Sequence, residues 1–256
     1  MFIKQVPDTT DVKWTENNNI DRAQMESIMN PVDRQAIEAA LRLEGRAHTA
    51  AVTMGPSKSV EVLKEAIACG VDDAALLCDS KFAGSDTCAT SKVLAAAIRK
   101  IYPDTDLILF GQSAIDGETS QTGPSTAVRL NMPFICNVNE ITGVEDNFVF
   151  VNTETEAVKA SYKINLPCVL CINNYVFQPT LPRIQGYINA HDYNYKSYNL
   201  YELNLPETQT GIKGSPTYVS KVYKTGEKRN CRIIDTDTLK DYSYSVIKEI
   251  KKTMEN

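Results

Sequence analysis

The chain contains 256 residues, of which 43% are hydrophobic and 23% are charged. This composition is enough for one large domain or a domain with an appendage, and it excludes intrinsic disorder, collagen-like repetition and a disulfide-stapled miniprotein. The 27 basic and 32 acidic side chains give a net charge of −5, the wrong sign for a protein that binds nucleic acid or anionic lipid.

The seven cysteines are scattered along the chain, and the first residues lack the apolar core of a signal peptide. This combination favours reduced thiols, so we expect a cytoplasmic protein. No apolar run approaches the ~20 residues that span a bilayer, and membrane insertion is not expected.

Short β-rich runs alternate with helical patterns between residues 28 and 130. Strands are predicted at residues 49–53, 74–78 and 106–110, with one helix from Ser57 toward Cys69 and another that ends before Pro103. This alternation implies right-handed crossovers and a mainly parallel sheet covered on both faces. We therefore expect the α/β fold class.

The pattern changes after Pro133. Four strand-like segments follow, which we interpret as an antiparallel extension of the same sheet: residues 134–138, 148–151, 158–164 and 168–172. Residues 173–223 are rich in Tyr, Asn and Pro without a sustained period, so we expect them to pack on a partner subunit. Helical spacing returns at residues 238–254. The predicted organisation is an α/β domain at residues 1–190 and an extended C-terminal arm and helix at residues 191–256.

The loop at residues 111–124 follows a buried strand and precedes a helical segment. Ligands of open α/β sheets bind beyond the carboxyl ends of strands, where free amides at a helix start hold phosphate oxygens. The three glycines of this loop are expected to let its backbone approach a ligand closely. Its polar side chains that could complete a phosphate or ribose site are Asp116, Thr119, Ser120, Gln121 and Thr122. An ordinary Asp-Gly turn explains the local pattern equally well.

Two helix starts carry further polar residues. Asn30, Pro31 and Asp33 make a good helix start by themselves, and the functional alternative is that this cap also fixes a loop over a ligand. Residues 85–91 hold four hydroxyls and one acid, which is more than a cap requires and indicates a ligand contact.

Several enzyme classes lack their motifs. Neither G-x-G-x-x-G nor G-x-x-x-x-G-K-[ST] occurs, which argues against dinucleotide dehydrogenases and P-loop NTPases. Cys168 and Cys171 match C-x-x-C, but positions three apart in a strand point to opposite faces, so a zinc site is not expected. Neither His48 nor His191 lies in a recognisable nucleophile context.

Five ordered motifs together resemble the beta subunit of electron-transfer flavoproteins. They are KQVPDT from Lys4, NPVD from Asn30, VTMGP from Val52, the hydroxyl cluster at residues 85–91 and the loop at residues 111–124. The sequence GIKGSPT from Gly211 also resembles that family. This resemblance implies a Rossmann-like fold, similar to adenine-nucleotide alpha-hydrolases, in a heterodimer with a larger alpha subunit that carries FAD.

The resemblance also implies a second nucleotide in the beta subunit, which is AMP in simple members and FAD in electron-bifurcating members. The cluster at residues 85–91 and the Gly-Ser-Pro signature are more similar to the bifurcating branch, so FAD is preferred, with AMP as the alternative. NADH would then supply a hydride, and electrons would pass to the alpha-subunit flavin and a low-potential acceptor. A free-standing ATP-using enzyme would need a loop such as S-G-G-x-D-S, which is absent from the sequence.

By this resemblance, amides and hydroxyls at residues 117–122 hold the pyrophosphate, Asn30 and Asp33 fix the adenosine end, and Lys4 or Gln5 contacts the flavin ring. No general acid or base is expected. The cofactor-binding residues implied by the family motifs are Asn30, Pro31, Val32, Asp33, Met54, Asp86, Thr87, Thr90, Gly111, Gln112, Ser113, Ala114, Ile115, Asp116, Gly117, Glu118, Thr119, Ser120, Gln121 and Thr122.

Residues 181–190 resemble the recognition loop that docks into acyl-CoA dehydrogenases, with Ile184 in the apolar anchor position. The basic residues common after this loop are replaced at residues 191–194, which weakens electrostatic steering or changes the partner. At the other end, only three residues precede Lys4, where family members usually have several more, so we expect either a shortened first strand or a misassigned start.

Overall fold

The computed structural model describes residues 1–8, 26–43, 48–145, 147–220 and 238–254. The chain divides into two units, Met1–Lys221 and Val222–Asn256. The predicted division at residue 190 stays a prediction.

The first unit alternates strands and helices up to α4, as the periodicity predicts. Its strands are β1 (Gln5–Pro7), β2 (Ser27–Met29), β3 (Ala50–Met54), β4 (Asp73–Leu77), β5 (Leu107–Gly111), β6 (Phe134–Glu145), β7 (Phe148–Glu154), β8 (Lys159–Asn165), β9 (Cys168–Ile172) and β10 (Lys196–Tyr198). Its helices are α1 (Pro31–Arg42), α2 (Val60–Ala68), α3 (Thr87–Ile101), α4 (Thr122–Leu130), α5 (Ile184–Asp192) and α6 (Gly211–Gly214).

Residues 1–3 lie between β3 and β5 and join two ladders of parallel strands. The Ile3 amide donates to the Val52 carbonyl at 2.9 Å, and the Phe2 amide donates to the Leu109 carbonyl at 2.9 Å. Phe2 and Val52 form an isolated parallel bridge. The single bridge agrees with the expectation of a short first strand, and the hydrogen bonds of residues 1–3 link the sheet β10, β4, β3 to the separate sheet that begins with β5.

The sheet continues from β5 in the order β5, β9, β6, β7, β8. β9 is parallel to both β5 and β6, whereas β7 and β8 are antiparallel additions. The expected antiparallel extension is therefore confirmed only for β7 and β8. β9 inserts beside β5, and such long-range pairing is not encoded in local periodicity.

Helices cover both faces of the sheet. Adjacent residues of β3 show this, because Ala51 belongs to the same buried cluster as Ile37 of α1 and Leu63 of α2, whereas Val52 belongs to a cluster that includes Val93 of α3 and Ala127 of α4. Successive side chains of a strand point to opposite faces. The mostly parallel α/β fold predicted from the sequence is thereby confirmed.

Residues 184–198 pack on their own chain. α5 lies against α2 so closely that a Cβ on Gly186 would be 2.1 Å from the Ala68 carbonyl oxygen, and β10 pairs in parallel with β4. The expectation that residues 173–223 pack only on a partner is wrong for this portion. Its elements are too short for periodicity to reveal, and contacts with the sheet edge hold them in place.

The second unit contains one described helix, α7 (Leu239–Met254), which agrees with the predicted helix within one residue. Its Tyr242 and Ile250 side chains are about half exposed. None of the helices in the described ranges is both long enough and apolar enough to cross a bilayer.

Tyr193→Phe should lower the free energy of unfolding by about 1 to 2 kcal/mol, because hydrogen bonds to a charged group contribute more than neutral ones. The Tyr193 hydroxyl donates to the Asp73 carboxylate and accepts from the Ala74 amide, and so ties the segment before β10 to β4. Urea denaturation measures the change. Tyr187→Phe is the matched control, since Tyr187 is 60% exposed, and an equal effect of both variants would contradict the assignment.

Candidate functional site

Asn30 ties the start of α1 to the loop that follows β5. Its side-chain amide donates to the Ser113 carbonyl at 2.9 Å, and its side-chain oxygen accepts from the Ile115 amide at 3.3 Å. Asn30 occupies the N-cap position of α1 but makes no side-chain cap hydrogen bond. The helix thus begins where the sequence predicts, but the Asn30 side chain fixes the loop after β5 instead of capping α1, and the expectation that this loop covers a ligand stays a prediction.

Asp33 and Gly111 meet in the interior beneath this loop. The Asp33 carboxylate accepts from the backbone amides of Lys4, at 2.8 Å, and Gly111. Burial nevertheless raises the pKa of Asp33 to about 7, against the opposing effect of hydrogen bonds from Asn30 and these amides. A Cβ on Gly111 would lie 2.6 Å from the Val32 carbonyl carbon, so glycine permits the contact between α1 and β5.

The three glycines of the loop have different roles. Gly111 allows α1 to pack closely against β5. Gly123 allows α4 to pack against β9, because a Cβ on Gly123 would lie 2.6 Å from the Cys171 sulfur. The expectation that all three serve ligand approach is thus wrong for these two, which allow internal packing. Gly117 faces open space. The left-handed conformations belong instead to Glu118 and Ser120, with φ of 50° and 54°.

The start of α4 presents hydrogen-bond donors toward the loop. In the described part of the chain, no acceptor lies within hydrogen-bond distance of the Thr122 and Gly123 amides. The Thr87 hydroxyl at the start of α3 donates to the Gln121 side chain at 3.1 Å. Two helix N-termini therefore converge at this edge, where their partial positive charges favour an anion.

Asp86 is engaged in holding the chain together. Its carboxylate caps α3 through the Ala89 amide at 2.9 Å and accepts from the Thr217 amide at 3.0 Å and hydroxyl at 2.8 Å. Partial burial opposes ionisation, but these hydrogen bonds outweigh it and hold the pKa of Asp86 below its ordinary value. The Asp86 amide also donates to the Ser215 hydroxyl at 2.8 Å. Ser215 and Thr217, from the Gly-Ser-Pro signature, were not predicted as site residues.

Lys4 reaches across the edge to Asp116. Its ammonium contacts both carboxylate oxygens, at 2.7 and 2.8 Å, with side-chain exposures of 49% and 18%. An exposed pair of this kind contributes only about 0 to 1 kcal/mol, so a ligand hydroxyl can compete for Asp116. Gln5 is directed elsewhere, because its side-chain oxygen accepts from the Ser59 hydroxyl at 2.8 Å.

The remaining predicted residues differ in their availability. The Gln112 side chain accepts from the Asn137 amide at 2.9 Å and is thus engaged with β6. Met54 ends β3 and packs partly buried against the core. Pro31 and Val32 form the first turn of α1, and Thr90 lies in the second turn of α3, half-buried. Ala114 accepts from the Gly117 and Glu118 amides and so shapes the loop.

Cys168 and Cys171 lie on opposite faces of β9, as predicted. Cys168 packs with Ala36 and Leu109, and Cys171 packs with Phe110 and Ala127. Both are free thiols. Burial raises the pKa of Cys168 to about 12. Neither thiol is therefore suited to metal binding at neutral pH, which agrees with the interpretation of this pair as buried core residues.

The loop after β5 lies beside two helix N-termini and the start of α1. The electron transfer flavoprotein domain matches residues 18–192 of the chain. The chain belongs to this family. The resemblance of its motifs to the beta subunit is thereby confirmed.

Relatives cover most of the chain. It is 34% identical over 253 residues to the caffeyl-CoA reductase-Etf complex subunit CarD of Acetobacterium woodii, covering 97% of this chain and 96% of that protein. It is 37% identical to the electron transfer flavoprotein subunit beta of Megasphaera elsdenii, covering 86% and 85%. It is 36% identical to the acryloyl-CoA reductase electron transfer subunit gamma of Anaerotignum propionicum, covering 88% of each chain.

Asp33→Asn should flatten the pH dependence of unfolding. The folded-state pKa of Asp33 is about 7, above its ordinary value of 3.8, so the folded protein binds this proton more tightly than the unfolded chain. Stability therefore falls as the pH rises between these values, and from about pH 5 to about pH 7 the loss is about 2 to 3 kcal/mol. Urea denaturation of both proteins across this range measures it. Parallel pH profiles would contradict the assignment.

Proposed function

We propose that this flavoprotein subunit binds FAD at the edge formed by the loop after β5 and the starts of α1, α3 and α4. The observation that carries the proposal is that the Thr122 and Gly123 amides, at the start of α4, have no hydrogen-bond partner among the described residues. Phosphate oxygens bind well at such helix N-termini because they accept from the amides and oppose the helix dipole.

The residues present fit a dinucleotide. The side chains of Thr119 and Gln121 are exposed, and Gly117 faces open space, so the loop offers hydroxyl, amide and backbone groups to a pyrophosphate. Asp116 is the proposed acceptor for a ribose hydroxyl, in exchange for its exposed pair with Lys4. When bound, FAD would supply the redox chemistry, and the protein would bind and orient it.

The roles proposed for the remaining residues are mainly structural. Asn30 and Asp33 hold the loop in shape through their contacts with Ser113 and Gly111. This refines the expectation that they contact the adenosine end directly. Asp86 likewise fixes the start of α3 relative to the Gly-Ser-Pro signature.

The electron route is the finer part of the proposal. We propose that NADH is the donor, that electrons pass to the flavin of an alpha subunit, and that the transfer is bifurcating. Two relatives named as subunits of caffeyl-CoA and acryloyl-CoA reductase systems support an acyl-CoA dehydrogenase-type partner. The alternative is a non-bifurcating subunit that holds AMP as a structural ligand.

Acid extraction of the purified heterodimer should release two FAD per dimer, because the beta site would hold its own flavin. In an Asp116→Leu heterodimer the count should fall to one, since an apolar side chain removes the ribose acceptor and occupies its space. Chromatography of the released nucleotides gives the count.

The matched control is Asp104→Leu, because Asp104 is an exposed turn residue before the start of β5, whereas the loop follows the other end of that strand. This control should retain both flavins. One FAD and one AMP in the unmodified dimer would reject FAD in favour of the alternative. Unchanged occupancy in Asp116→Leu would show that the loop was wrongly assigned.

We further propose Ile184 as the docking anchor for the dehydrogenase. Ile184 begins α5 and is 82% exposed, and Leu181 beside it is 83% exposed. Neighbouring apolar side chains with this much exposure mark a surface that binds another protein. Tyr187 and Ile188 extend the same exposed surface along the helix. These four residues are called the docking patch below.

Ile184→Ala should raise the half-saturating concentration of the dehydrogenase by about tenfold or more, as expected when an interface anchor is truncated. The assay is stopped-flow oxidation of the dithionite-reduced heterodimer by an acyl-CoA dehydrogenase of the same organism, with crotonyl-CoA as the final oxidant. Val158→Ala is the control, because Val158 is also exposed but lies in the turn between β7 and β8. Identical curves for both variants would refute Ile184 as the anchor.

A further inference from the structure

Side chains of α1 form hydrogen bonds with the backbone of residues 177–180. The Gln35 side chain accepts from the Phe177 amide at 2.6 Å and donates to the Phe177 carbonyl at 3.2 Å. Gln35 thus bonds both backbone groups of Phe177, as a residue of a neighbouring β-strand would. It fixes both the position and the direction of the chain before the docking patch.

Three charged residues of α1 form further hydrogen bonds with the same segment. Glu38 accepts from the Thr180 amide at 2.7 Å and from the Thr180 hydroxyl at 3.0 Å. Arg34 donates to the Thr180 carbonyl at 2.5 Å, and Arg42 donates to the Gln178 carbonyl at 3.1 Å. The four side chains that hold this backbone, called the α1 clamp, are Arg34, Gln35, Glu38 and Arg42.

The clamp is largely buried, which distinguishes it from surface ion pairing. Arg34, Gln35 and Glu38 are 8%, 4% and 1% exposed. Arg34 and Arg42 approach the Glu38 carboxylate from two sides, at 3.7 and 3.6 Å. Buried polar groups cost free energy unless they are hydrogen bonded. The backbone groups of Phe177 and Thr180 bond to Gln35, Glu38 and Nη2 of Arg34, so this segment satisfies polar groups that α1 would otherwise bury without partners.

Leu181 and Ile184 of the docking patch lie between two fixed points. The clamp ends at Thr180, directly before Leu181. On its other side, Gly186 packs against the Ala68 carbonyl in α2, where no Cβ would fit. The exposed side chains of Leu181 and Ile184 are therefore carried on backbone that is held at both ends.

We propose that the α1 clamp consists of positioning residues that preorganise the docking patch for the dehydrogenase. This inference rests on the proposed function of Ile184. A patch held in its binding conformation loses less conformational entropy on association than a flexible loop. The clamp contributes to affinity without touching the partner.

The test uses Thr180→Val. This variant removes the hydroxyl hydrogen bond to Glu38 but keeps the hydrogen bond that the backbone amide of residue 180 donates to Glu38. In the stopped-flow assay above, the half-saturating concentration should rise by about three- to tenfold, as expected for lost preorganisation, with an unchanged limiting rate. Thr180→Ser restores the hydroxyl and should restore the wild-type concentration. Gln35→Ala, which removes the contacts with Phe177, should produce the same kind of change.

Ser161→Ala is the matched control, because it also removes a side-chain hydroxyl bond, to Asn152, but lies on β8. It should leave both kinetic values unchanged. Hydrogen exchange adds a readout that is independent of activity. The amides of residues 178–184 should exchange faster in Thr180→Val and Gln35→Ala, while those of the loop after β5 should not.

The outcomes separate the two proposals. If Ile184→Ala weakens docking but Thr180→Val and Gln35→Ala leave the half-saturating concentration unchanged, the clamp proposal is overturned and the docking proposal stands. If Ile184→Ala also leaves the half-saturating concentration unchanged, both the docking proposal and the clamp proposal are overturned. A lowered melting temperature without a change in the half-saturating concentration would assign the clamp a purely structural role.

Discussion

The site depends on the contact between the start of α1 and the carboxyl end of β5. Gly111 lets Val32 and Asp33 approach the strand at a distance that no side chain would allow. Once there, Asp33 accepts backbone amides from two neighbouring segments, and Asn30 binds the loop beyond β5. The helix thus supplies the fixed surface against which the loop is shaped.

This contact explains how the loop holds a strained conformation. Glu118 and Ser120 adopt left-handed backbone angles, and each such residue costs about 1 kcal/mol or more unless its surroundings enforce it. The two hydrogen bonds between Asn30 and the loop, one donated to Ser113 and one accepted from Ile115, fix the loop at its beginning, and α4 fixes it at its end. The strain is therefore imposed by tertiary contacts at both ends of the loop, directly before the first amides of α4.

Local periodicity predicted the first half of the fold well. α3 is an example, since Val93, Ala97 and Ile98 recur on one face and are buried together. Periodicity could not place β9 beside β5, because strand neighbours are decided by contacts between distant residues. It also missed α5 and β10, which are short and are held by α2 and β4.

The candidate site was predicted in outline by the motif at residues 111–124, but the individual roles were not. Asp86 shows why. A carboxylate at a helix start is equally suited to a ligand, a cap or another segment, and only the folded chain reveals that Thr217 reaches it. Gly111 and Gly123 look like ligand-binding glycines in the sequence, yet their neighbours in space are Val32 and Cys171.

α1 connects the two proposed functional regions, because different residues of this helix contact each of them. Its first turn holds the loop after β5, and its later turns hold residues 177–180. A helix is stiff along its axis because its backbone is hydrogen bonded throughout. The distance between the proposed cofactor edge and the proposed docking patch is therefore set largely by one rigid element. A partner that docks on this patch would lie at a defined distance from the proposed cofactor.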